Sequence, residues 1–111
     1  MKHTEKEILL LKEEVKLMWK LVISQVENAK KALLNNDTEI ASQIIKTEID
    51  VNTFELKIDS NCENFIALYS PVAIDLRLAL SLIRISSELE RISDFTEGIA
   101  RFVFKKECDN I

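Results

Sequence analysis

An all-α fold, an antiparallel up-down-up three-helix bundle, is predicted by three observations on the 111-residue chain. Gly and Pro occur once each, which leaves almost nothing for hairpins or tight loops, whereas long amphipathic helices need neither. Apolar residues make up 47% and recur at steps of three and four along most of the chain. That pattern breaks only at Asn35-Asn36-Asp37 and at Ser70-Pro71. Connections so short make consecutive helices antiparallel neighbours, and residues 1–111 read as a single domain.

Helix one is expected over about 4–34, where Leu11, Val15, Met18, Val22, Val26, Ala29 and Leu33 form a seam with Trp19 beside it. Asn36 is the candidate N-cap of helix two, with Glu39 at the third helical position completing a capping box. Helix two, about 37–68, carries Ile40, Ile44, Val51, Ile58, Cys62 and Phe65 on one stripe and Ile45, Ile49 and Leu56 on another. Glu48, Asn52, Glu55 and Asp59 lie between those stripes. Ser70 as N-cap and Pro71 at the first helical position start helix three, about 71–105, and "KKECDNI" reads as a fraying tail. On helix three the line Val72, Leu76, Ala79, Ile83 continues into Glu90, Asp94 and Glu97, while Leu82, Ile85, Leu89, Ile92 and Ile99 mark the other side.

Acids therefore take apolar places on a seam, where like charges repel and require compensation. Glu48 and Glu90 stand about equally far along the chain from the Tyr69–Ser70 turn, so antiparallel packing brings them to one height. Asn52 and Asp94 fall within about a turn of that level, Glu55 about 9 Å and Asp59 about 15 Å from it along the axis. The candidate cluster is Glu48, Asn52, Glu90 and Asp94, with Glu55 or Glu97 at its margin. Carboxylate and amide oxygens suit magnesium, manganese, calcium or iron, and no cysteine or histidine is placed to favour zinc. The alternative is that these acids make surface ion pairs with lysines and arginines of neighbouring helices. Glu97 also has Arg101 one turn on. Arg77, Arg84 and Arg91, at heptad spacing, suggest an ion-pair seam with an adjacent helix or a contact for an anion or partner.

Composition narrows the function classes. A net charge of −4 and a pI near 5.1 disfavour a nucleic-acid backbone as partner. No apolar run approaches the roughly 20 residues that span a bilayer, and the flanks of "ILLL" are too charged for a signal peptide, so a cytoplasmic chain is expected. Cys62 and Cys108 read as two reduced thiols, Cys62 in the core. His3, the only histidine, lies at the terminus, which disfavours histidine phosphotransfer and a Glu-x-x-His di-metal site. No nucleophile has an adjacent base, so the chain is not expected to be an enzyme.

The segment "SPVAIDLRLALSLIRISSELERISD", preceded by "VNTFELKIDSNCENFIALY", resembles one repeat of the PhoU family of bacterial phosphate-transport regulators, over about residues 33–100. A P-x-A-x-D-L-R segment followed on the same helix by E-R-I-x-D carries the resemblance. It implies three-helix units that bind metal ions through E/D-x-x-x-D motifs, here Glu90-x-x-x-Asp94 with Glu48-x-x-x-Asn52 as its helix-two counterpart. Asn52 departs from the acidic pattern and lowers the site's charge by one. Ser93 stands where the motif usually carries Gly, a departure expected to matter little.

The resemblance further implies a non-enzymatic cytoplasmic adaptor. Such proteins link a phosphate transporter and its ATPase to a sensor kinase and restrain the phosphate-starvation response. Family members usually carry two such units in tandem and this chain has one, so either it is a fragment or short member, or a homodimer or a second three-helix unit is expected, docking on the second apolar stripes of helices two and three. The competing reading is a structural or regulatory helical module without metal, such as the cytoplasmic tail of a sodium–phosphate transporter.

Overall fold

The computed structural model describes residues 3–109 as three helices, α1 (His3–Asn35), α2 (Thr38–Tyr69) and α3 (Ala73–Asp109). Every helix packs on the other two, in a rod of 60 × 20 × 18 Å. His3 opens α1, but its side chain lies outside the described part of the molecule.

Both connections differ from the sequence expectation in which residue does the capping. Asn36 takes a left-handed conformation (φ 51°) that reverses the chain, and Asp37 is the N-cap of α2. Asp37 Oδ1 accepts from the backbone N–H groups of Glu39 and Ile40, satisfying donors that the helix leaves open. At the second connection Ser70 closes α2 and does not open α3. Its φ of 43° is left-handed, and its N–H donates to Ile66 O at 3.1 Å. Pro71 and Val72 are non-helical, and α3 begins at Ala73. The midpoint of the link thus lies at Pro71, which moves the partners of α2 along α3 by most of a turn. Asp59 then meets Ser86, and Glu48 meets Ser93. At its far end α3 runs on through the expected tail to Asp109, and Cys108 is an exposed residue of its last turn.

The core corrects the predicted seams. On α1 the buried line is Leu11, Val15, Met18, Val22, Gln25, Ala29 and Ala32. Val26 and Leu33 are 46% and 39% exposed, because the step after Val22 is three residues and not four. Gln25 tolerates burial because its Nε2 donates to Ile44 O at 3.0 Å. On α3 the buried line is Ala79, Leu82, Ser86, Leu89, Ser93, Thr96, Ala100 and Val103, alternating steps of three and four as a bundle seam does. Small hydroxyl residues, not acids, replace apolar ones there, and Glu90, Asp94 and Glu97 flank them. On α2, Glu48 itself is in the buried line, between Ile44 and Val51.

Two hydrophobic clusters result. One gathers Met18, Val22, Val51, Ile58, Cys62, Phe65 and Leu89 among others, and the second gathers Ala29, Ala32, Ala41, Ile44, Ala100 and Val103. Gln25, Glu48, Ser93 and Thr96 form a polar layer between them.

Candidate metal centre

Three carboxylates meet at the edge of that polar layer. Glu48 from α2 and Glu90 and Asp94 from α3 each offer an oxygen, and these oxygens lie within 4.8 Å of one another. Oxygens around an octahedral ion at 2.0–2.1 Å stand about 3 Å apart, so small rotamer changes suffice to close on one. The α3 pair is one turn apart on a single face, and the link at Pro71 sets Glu48 against it.

Acidic clusters are common, but this one contains a buried oxygen that no N–H or hydroxyl donor among the described residues bonds. Glu48 is 4% exposed; its Oε2 accepts a 2.5 Å hydrogen bond from Ser93 Oγ, and its Oε1 is buried with no hydrogen-bond partner. A buried carboxylate oxygen without a donor or cation is costly. Glu14 Oε2 also lacks a hydrogen bond, but Lys57 Nζ lies 3.5 Å from it. Among the described residues no ion pair reaches Glu48, Glu90 or Asp94; those present join Lys57 to Glu14, Arg91 to Glu88 and Arg101 to Glu97. Surface ion pairing therefore does not compensate the cluster.

Its electrostatics carry the strain of uncompensated charge. Burial, then the Asp94 carboxylate within hydrogen-bond reach and the charges of Asp94, Glu55 and Glu48, pushes Glu90 up to about 7. Glu48 is also raised, mainly by burial, with Asp94 and Glu97 adding to the effect and the Ser93 hydrogen bond opposing it. Burial and the charges of Asp59 and Asp94 raise Glu55. A cation in the centre would reverse these shifts, since each is a preference for the uncharged acid.

The remaining sequence candidates divide. Asn52 is exposed, on the face of α2 that bears Glu48 and one turn beyond it. Glu55 is partly buried and feels Asp94 and Asp59, so it borders the cluster. Glu97 holds Arg101 at 3.0 Å. Arg77, Arg84 and Arg91 are exposed and form no ion-pair seam with α1 or α2 among the described residues; Arg91 reaches Glu88 of its own helix at 3.8 Å. Sequence reasoning did not place Ser93 in the buried line against Glu48, nor Thr96, whose Oγ1 donates to Ser93 O at 2.7 Å. The available signal was the seven-residue spacing of Ser86 and Ser93, which keeps both on one side of α3.

Among the described residues no helix is long and apolar enough to cross a membrane. Comparison with known proteins bears on the family. The chain is 38% identical over 96 residues to the phosphate-specific transport system accessory protein PhoU of Serratia marcescens, covering 86% of this chain and 40% of that protein. It is 39% identical over 95 residues to the PhoU homolog of Aquifex aeolicus (86% and 43%). To the homolog of Archaeoglobus fulgidus it is 34% identical over 105 residues (95% and 53%). The chain thus spans about half, or somewhat less, of the length of these relatives. No solved structure matches it. The PhoU domain is matched over residues 15–103, which takes in all but the ends of the bundle and every carboxylate of the cluster, and the chain belongs to the PhoU family.

Proposed function

We propose that this protein is a non-enzymatic, metal-binding regulator of phosphate uptake. The observation that carries the reading is Glu48 Oε1, buried and, among the described residues, unpartnered beside two further carboxylates that no basic side chain there reaches. Glu48, Glu90 and Asp94 would hold a divalent or trivalent ion with a preference for oxygen ligands, iron, manganese, magnesium or calcium, with Asn52 and Glu55 at the margin. The ion would supply positive charge that fixes α2 against α3. Relatives named as accessory proteins of a phosphate-specific transport system support a role beside a phosphate transporter. In this reading the chain acts in the cytoplasm as an adaptor between the transporter ATPase and a sensor kinase, restraining the phosphate-starvation response.

A second three-helix unit, in the simplest case a second copy, completes the molecule. Of the stripes the sequence suggests, Ile49 and Leu56 on α2 and Ile92 on α3 are exposed, whereas Leu82 and Leu89 are buried within the bundle. The groove between α1 and α3 is the better surface: Trp19, Ile23, Val26 and Ile92 are exposed along it, bordered by Glu27 and Arg84. Those opposite charges suit a two-fold partner that exchanges them.

Elemental analysis of purified wild type and of the Glu90→Ala/Asp94→Ala double variant tests the centre. Bound metal is expected in the first and its loss in the second; absence from the wild type, or equal content in both, sinks the reading.

A further inference from the structure

Ser93 stands at the contact between the polar layer and the carboxylate cluster. It is fully buried, its Oγ donates to Glu48 Oε2 at 2.5 Å, and the following residue is Asp94. Adjacent positions on α3 thus give one hydroxyl to the Glu48 carboxylate and one carboxylate to the cluster. Glu48 cannot swing to solvent, being 4% exposed, so the hydroxyl fixes which of its oxygens is committed. Oε2 is held, and Oε1 is left without a hydrogen-bond partner among the described residues.

We propose that Ser93 is a positioning residue that sets the metal selectivity of the Glu48, Glu90 and Asp94 centre, by holding Glu48 to one-oxygen coordination and so favouring a small six-coordinate divalent cation over calcium. The inference rests on the metal-binding reading above. Calcium takes six to eight oxygens at 2.3–2.6 Å and commonly recruits both oxygens of a carboxylate, whereas smaller octahedral ions take single oxygens at about 2.0–2.1 Å. With Ser93 in place, Glu48 offers the second kind of site. Without the hydroxyl the carboxylate is free to turn and present both oxygens.

Calorimetric titration of the chelator-stripped full chain with Mn²⁺ alone and Ca²⁺ alone tests this, using wild type, Ser93→Ala and Ser93→Thr. Wild type is expected to bind Mn²⁺ more tightly than Ca²⁺. Ser93→Ala should lose about 10- to 100-fold in Mn²⁺ affinity, as loss of an orienting partner typically does, with Ca²⁺ affinity changed much less, so the ratio narrows. Ser93→Thr, which keeps the hydroxyl, should retain the wild-type ratio. Infrared difference spectra of the Mn²⁺ form should show the widely split carboxylate stretches of one-oxygen coordination in wild type and a narrower splitting in Ser93→Ala. Partial unfolding would weaken both ions together and leave their ratio unchanged, and an unchanged ratio with unchanged carboxylate bands overturns the role of Ser93 alone. Absence of binding by wild type, or undiminished binding by Glu90→Gln/Asp94→Asn, overturns the metal centre and this inference with it.

Discussion

Glu48 places an ionisable group where its neighbours along α2, Ile44 and Val51, are fully buried, and the metal-free protein bears that cost. Glu48→Gln should therefore raise the melting temperature in chelator, by an amount equivalent to about 1 kcal/mol, while abolishing metal binding. The same crowding makes stability depend on pH. Glu90 keeps its proton up to about pH 7 in the folded chain against an ordinary value of 4.5, so between the two the folded state binds more protons than the unfolded one. Stability of the metal-free protein should accordingly fall as pH rises through that window, and melting curves in chelator from pH 5 to 8 should show it. Glu90→Gln should flatten the slope; a melting temperature that rises with pH in wild type contradicts the assignment. Glu48, Glu90 and Asp94 were legible in the sequence, because helical spacing and equal distance from a turn need only the backbone period. Ser93 was not, since a serine's burial depends on what the opposite helix presents, and that requires the register of α2 against α3.

The elements were legible to within a few residues, and the reasons for each miss are local. Asn36 and Asp37 are both good caps, and the choice between them turned on which residue enters the left-handed region, a conformation asparagine tolerates well. Asp37→Ala should cost about 1 kcal/mol in chemical denaturation, whereas Asn36→Ala exchanges a tolerated left-handed residue for a poorer one and leaves the cap intact. Ser70 before Pro71 fits the start of a helix as well as the end of one, and here the open carbonyl of Ile66 claims its N–H. Gly98 is a different matter. It lies inside α3, and a methyl group placed there would meet nothing within 4 Å. Gly98→Ala should stabilise the isolated bundle by about 0.5–1 kcal/mol in the same assay.

At the scale of the whole molecule, large apolar side chains stand exposed on all three helices. Phe95 is 71% exposed, and with Leu33, Ile99 and Phe102 it extends the groove that Trp19 and Ile92 begin. Sedimentation equilibrium at micromolar concentration should give twice the chain mass of 12.8 kDa, and Trp19→Lys should return it to monomer without moving metal content. A wild-type monomer would count against self-association. The fold class was readable from composition, periodicity and the two breaks, but the outward face was not, because the α1 seam leaves the predicted stripe after Val22. The pairs joining α2 to α3, Ser86 with Asp59 and Ser93 with Glu48, have one further consequence. Seams of apolar residues at heptad spacing can slip past each other by two turns and still bury much the same surface. Here the acids lie about three turns apart on one helix and the hydroxyls about two turns apart on the other, so the two rows are ruled at different intervals. A slip that rejoins one pair must break its companion, and the bundle is thereby locked lengthwise at the single alignment in which its three carboxylates meet.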